Sequence, residues 1–197
     1  MNVLVSAVRD AAKEMGSDPT SFAASARVKR VWDVLATVND PEIPVISVLD
    51  LGIVRAVVET DIGVDVHVTP TYAGCPAVEV IEQDIVAALH AAGIPARAVT
   101  TLTPAWSTDW ITEEGRAKLK QYGIAPPGPV SASDGRVIHF KLNGVRPYLI
   151  SAPPAPPSCP LCDSPHTERL SQFGSTACKA LYRCVDCREP FDYFKPL

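Results

Sequence analysis

Apolar residues change their spacing several times along this chain, and each change marks an element. From Arg27 onward they recur as Val28, Val31, Leu35 and Val38, a stripe along one side of a helix that stops before Pro41. Leu51 to Glu59 is rich in β-branched residues. Gly63 to Thr69 then alternates, with Val64, Val66 and Val68 on one face and Asp65, His67 and Thr69 on the other. Asp61-Ile62-Gly63 supplies a turn, so the two runs predict a hairpin. Pro76 suits the first position of a second helix, in which Val78, Ile81, Ile85 and Leu89 face the core. Gly93 and Pro95 mark its end. A strand around Ala96–Leu102 and a helix over Glu113–Tyr122, with Thr112 as its N-cap, follow. Strands interleaved with helices predict an α/β (α+β) domain on a short mixed sheet.

Past Pro126 the pattern breaks. Pro126-Pro127-Gly128-Pro129 and Pro153-Pro154-Ala155-Pro156-Pro157 bracket a stretch with Asn143-Gly144 at its centre. Val137 to Phe140 and Tyr148 to Ile150 could pair across that turn, while the prolines favour stiff, extended connections. Residues 1–26 read as a leader, 27–127 as the α/β domain, 128–158 as a proline-rich linker, and 159–197 as a cysteine-rich tail.

Composition narrows the classes. The chain is 47% hydrophobic and 20% charged, with a net charge of −4. That balance argues against a nucleic-acid or anionic-membrane surface. No run of apolar residues is long enough for a membrane span. Arg9, Asp10, Lys13 and Glu14 interrupt any signal-peptide core, so a cytoplasmic location and reduced cysteines are expected. No Gly-rich phosphate loop, G-x-S-x-G or H-E-x-x-H is present, which leaves the common nucleotide and hydrolase readings without support.

The strongest chemical signal is in the tail. Cys159-Pro160-Leu161-Cys162 and Cys184-Val185-Asp186-Cys187 are two C-x2-C knuckles, each able to grip one side of a tetrahedral metal. A tail this short cannot bury much of a core, so a metal is the expected staple and the module a β zinc ribbon. A four-thiolate site is usually structural zinc, but soft thiolates also suit iron. Cys178 is then spare: either a packed small residue, or a fifth thiol that lets the tail hold or pass an iron–sulfur cluster. His166 is an alternative ligand. Far upstream, Cys75 precedes Pro76 and so falls at the expected N-cap, where free N–H groups and the helix dipole favour a thiolate. The alternative is a small cysteine packing the helix start. Asp40-Pro41-Glu42-Ile43-Pro44 and Asp50-Leu51-Gly52 make a rigid loop whose carboxylates could bind metal or position a client, or could simply end a helix and form a turn.

These segments carry a resemblance. Asp40-Pro41-Glu42-Ile43-Pro44, Asp50-Leu51-Gly52 and Thr69 to Pro76 resemble the small α/β domain of the SufT-like iron–sulfur assembly family. Phe173 to Cys184 and Glu189 to Lys195 resemble the PaaD family, accessory subunits encoded with the bacterial phenylacetyl-CoA epoxidase. Pro104 to Trp110 and Tyr122 to Pro127 are similar to the same family. The stretch 128–158 is longer than usual for it, and Pro196 stands where some relatives carry a further cysteine. The resemblance implies a non-catalytic accessory protein that assembles or repairs the iron–sulfur or iron cofactors of the reductase or oxygenase components. It implies that Cys75, with Asp40, Glu42 and Thr69, handles a transient iron–sulfur cluster or contacts the client. Cys159, Cys162, Cys184 and Cys187 would hold zinc. The implied partners are the reductase or oxygenase subunits, with a homodimer open and neither nucleic acid nor membrane involved. An iron-containing redox carrier and a purely structural subunit of the oxygenase complex stand as alternatives.

Overall fold

A computed structural model describes residues 25–128 and 156–197 of the chain, which divide between Tyr122 and Gly123 into two units. Residues 1–24 of the expected leader and the expected hairpin around Asn143-Gly144 lie outside the described residues, while Ser25 and Ala26, read as the end of the leader, open the first helix. The protein is α+β.

In the first unit, helix α1 (Ala26–Leu35) begins where Ser25 Oγ accepts the Val28 N–H at 3.2 Å. Val31 and Leu35 turn inward and are fully buried. Strands β1 (Val54–Thr60) and β2 (Gly63–Val68) form the predicted antiparallel hairpin, with a bulge between Val54 and Ala56. The first strand starts later than its β-branched run suggests. Leu51 and Gly52 make a turn instead, with Gly52 at φ +67°, and a Cβ there would stand 2.4 Å from the Trp110 carbonyl oxygen. Trp106 Nε1 donates to Leu51 O at 3.0 Å, holding that turn from the other side.

Helix α2 (Val78–Ala91) buries Ile81, Ile85 and Leu89, as its period predicts. It begins two residues later than Pro76. Strand β3 (Ala96–Thr100) pairs parallel to β2, giving a mixed sheet in the order β1-β2-β3. Val64, Val66 and Val68 are buried, and the helices meet the sheet where α1 touches β1 and α2 touches β3. Helix α3 (Glu113–Gln121) has the predicted cap: Thr112 Oγ1 accepts from Gly115 N at 2.9 Å. Its acids lie in the first turn and Lys118 and Lys120 in the last, which suits the helix dipole.

The second unit is a four-stranded sheet. Strands β4 (Ile124–Ala125), β5 (Thr167–Ser171), β6 (Lys179–Cys184) and β7 (Pro190–Phe194) take the order β4-β7-β6-β5. β5, β6 and β7 pair antiparallel, and β4 runs parallel to β7. Residues 123–127, assigned from sequence to the α/β domain, thus fall in the ribbon unit. Phe191, Phe194, Ala180 and Tyr182 fill its small core, with Tyr182 stacked on Phe191 and edge-on to Tyr193.

Candidate metal centre and the Cys75 loop

The two knuckles fold alike. The residue after each second cysteine, Asp163 and Arg188, adopts a left-handed conformation at φ 60° and 67° and lets the chain turn back. Cys159 N donates to Ser164 O and Asp163 N to Cys159 O, both at 2.9 Å, closing the first turn. In the second, Cys187 N points at Cys184 Sγ at 3.5 Å. The result sets Cys159 Sγ 3.8 Å from Cys187 Sγ and Cys162 Sγ 3.6 Å from Cys184 Sγ, with all four sulfurs within 4.8 Å of one another. A zinc–sulfur bond of about 2.3 Å makes the edge of a tetrahedron roughly 3.8 Å, so the sulfurs fit one tetrahedral ion. Cys159 and Cys184 are buried, and Cys162 and Cys187 are exposed.

Electrostatics say the same. The Cys187 amide, followed by the Asp186 amide, pulls the Cys184 thiol down to about 6 against the opposing effect of burial. For Cys162 the Ser164 amide also lowers, but burial and the three neighbouring thiols prevail and push it up to about 12. Sulfurs this close cannot all ionise unless a cation sits among them.

Asp186 and Ser164, which sequence spacing did not single out, brace the two knuckles together with His166. Asp186 accepts from Ser164 Oγ and pairs with His166 Nδ1 at 3.1 Å, and Val185 N donates to His166 O at 2.8 Å. His166 is therefore bonded to Asp186 and lies outside the four-sulfur group. Cys178 also lies outside it. Its buried Sγ is 3.0 Å from Thr176 Oγ1, and its carbonyl accepts from Lys195 N at 2.9 Å.

The upstream loop is arranged differently from its expectation. Ala77, not Cys75, is the N-cap of α2, and it offers no side-chain bond. A turn comes first, in which Cys75 N donates to Tyr72 O at 3.1 Å and Cys75 O accepts from Val78 N at 3.3 Å. The half-buried Cys75 thus stands one turn ahead of the helix. Asp40 Oδ1 accepts from Glu42 N and Ile43 N, both at 2.8 Å, so this carboxylate holds its own loop. Among the described residues no cluster of three or more metal-ligating side chains contains Cys75, Asp40 or Glu42. Thr69 is 1% exposed, and its Oγ1 has no hydrogen-bond partner among the described residues.

Asp50 has the structural role its turn suggested, and more. Its Oδ2 accepts from Ser47 N at 3.0 Å, Ser47 Oγ at 2.9 Å and Lys118 Nζ at 2.8 Å. Burial pushes its pKa up, but Lys118 and the Ser47 donors outweigh that and hold the carboxyl below its usual value. Nearby, Trp106 is buried and Trp110 lies 3.4 Å beneath the Arg55 guanidinium.

Two family matches, one to each unit, give the class: an iron–sulfur assembly-type domain joined to a metal ribbon. Residues 29–102 match the family described as iron–sulfur cluster assembly protein, and residues 150–195 match the PaaD zinc beta ribbon domain. The chain belongs to the PaaD family: it is 45% identical over 173 residues to a protein of Escherichia coli strain K12 named as a component of 1,2-phenylacetyl-CoA epoxidase, covering 87% of this chain and 94% of that one. It is also 36% identical over 92 residues to a protein of Porphyromonas gingivalis named an Fe-S protein maturation auxiliary factor, covering 44% of this chain and 84% of that one. A solved domain of unknown function from Bacillus anthracis covers 46% of this chain and 89% of its own, at 22% identity and a TM-score of 0.43. Among the described residues no helix is long and apolar enough to cross a membrane.

Proposed function

We propose that this protein is a non-catalytic, cytoplasmic maturation factor of the phenylacetyl-CoA epoxidase system. It assembles or repairs iron–sulfur or iron cofactors of the reductase or oxygenase components. The observation that carries the reading is the joining, in one chain, of an assembly-type domain to a ribbon of the PaaD type. The iron–sulfur cluster is cargo, and Cys75 is the residue that meets it or the client. Its half-buried thiol lies in the loop between β2 and α2, next to the exposed Gly74 and a short chain distance from the orphaned Thr69 hydroxyl. Asp40 serves mainly by keeping its loop in shape, and Glu42 supplies the carboxylate of that loop that is left to meet the cargo or the client.

Zinc is the ion for the four cysteines. A multi-iron cluster interposes sulfides between its irons and so holds thiolates on different irons well apart, whereas a single ion gathers all four. Here all four sulfurs lie within 4.8 Å of one another. The ribbon then serves as a rigid docking module for an epoxidase component. The deciding experiment compares wild type with Cys75→Ser in reconstitution of the partner reductase. The expected result is one zinc per chain in both, with cluster occupancy of the reductase falling in the variant. Equal occupancy would leave the structural-subunit reading. A coloured protein whose iron survives the substitution would leave the redox-carrier reading.

A further inference from the structure

The order β1-β2-β3 leaves β3 at the edge of its sheet. Val64 N donates to Pro95 O at 2.9 Å and Thr101 N to Val68 O at 2.8 Å, so the odd-numbered residues of this stretch address β2. The alternation of a parallel ladder then turns the N–H and C=O groups of Ala96, Ala98 and Thr100 outward. Among the described residues no strand takes them up. Arg97, the strand's one charge, is paired with Asp65 at 2.6 Å and does not blunt this edge. Beside it runs an open groove of about 660 Å³, lined by Glu82, Val86 and His90 of α2 and by Ala96 and Ala98.

We propose that this edge binds a second copy of the chain, strand β3 pairing antiparallel with the partner's β3 about a two-fold axis at Ala98. The register of helix on strand makes the surface complementary to itself. Thr100 Oγ1 donates to Glu82 Oε1 at one end of β3. At the other end Ile94 N donates to Leu89 O at 2.9 Å, which keeps His90 near Ala96. Antiparallel pairing sets Ala96 opposite the partner's Thr100. It therefore sets His90 toward the partner's Glu82, twice over, and brings Val86 toward its own copy at the axis. Such an isologous contact closes on itself and caps both open edges at once. A basic extended peptide could use the same backbone groups, but it would leave His90 without a carboxylate.

The test is sedimentation equilibrium of the full, reduced chain over a wide concentration series. Wild type is expected to be a dimer. Ala98→Pro removes the central outward N–H and should weaken association at least about ten-fold. His90→Glu should do so too by placing like charges together, and adding Glu82→Lys to it should restore the dimer. The charge swap keeps the test valid if the proline variant misfolds, and circular dichroism checks both. A monomer at every concentration overturns the proposal, including one that binds a lysine-rich peptide. So does a dimer indifferent to all three variants. None of these outcomes depends on what Cys75 does.

Discussion

Residues 25–122 bury a broad set of aliphatic side chains, among them Leu35, Ile46, Leu51, Ile53, Ile85, Leu89 and Leu119. The ribbon unit has far less to bury. Its compact cluster is Ala125, Cys159, Ala180, Tyr182, Cys184 and Phe191, and two of those six are sulfur ligands. Leu161, Leu170, Phe173 and Val185 in the same unit are exposed. The first unit can stand on apolar burial. The second cannot, and it leans on thiolates instead. Stability in one should follow packing, and in the other metal supply.

The largest expected effect breaks that contrast directly. A strong zinc chelator at neutral pH, or Cys159→Ser, should unfold the ribbon while leaving the first unit folded. Structural zinc supplies on the order of 10 kcal/mol in small modules, more than this core can replace. Hydrogen exchange reads both halves at once: protection of β6 should vanish and that of β2 persist. Loss of both together would mean that the units do not stand apart.

Next in size is a polar contact inside the aliphatic unit. Asp50→Ala strands the Ser47 amide and hydroxyl and leaves the Lys118 ammonium with Glu114 alone, and should cost about 2–4 kcal/mol in denaturant unfolding. Because the folded Asp50 has a lowered pKa, its contribution is fully present above the ordinary carboxylate range. It is lost as pH falls through the lower folded value. Wild type should therefore lose part of its advantage over Asp50→Ala on the acid side only. A difference that grows with acid would refute the pairing.

The same contrast explains what the sequence disclosed. Local period revealed α1, β2 and α2, because each buries a face at its own spacing, and the Thr112 cap revealed α3. The knuckle cysteines were legible because metal chemistry demands that spacing. What escaped depends on distant partners. The Asp50-Leu51-Gly52 turn is among the readings the sequence allows, but not what holds it: Trp106 and Trp110, more than fifty positions on. Ile124–Ala125 carries no hint that it will pair with β7. Asp50 meets Lys118 across 68 positions. Cys75 was placed at the cap because Pro76 usually opens a helix, yet an extra turn intervenes. Gly52→Ala tests the first of these. With φ at +67° and Trp110 so close, it should cost about 1–3 kcal/mol.

Cys178→Ala probes the ribbon more gently. The thiol packs beside Thr176 and outside the four-sulfur group. Its removal should leave the metal content at one ion per chain and lower stability by about 1 kcal/mol or less. Any drop in metal stoichiometry would make it a ligand after all.

The smallest stability change carries the sharpest argument about function. Thr69 buries a hydroxyl with no partner among the described residues, an arrangement that ordinarily costs about 1–3 kcal/mol. Valine keeps the shape and removes that cost, so Thr69→Val should leave the melting temperature unchanged or raise it slightly. A destabilised variant would show that the hydroxyl is already bonded. If Thr69 serves the same site as Cys75, cluster occupancy of the partner reductase should fall in the more stable variant. Stability and activity would then move in opposite directions, which is the mark of a polar group kept for a visitor rather than for the fold. If occupancy holds while stability rises, Thr69 has no part in the transfer, and Cys75 stands alone in that loop.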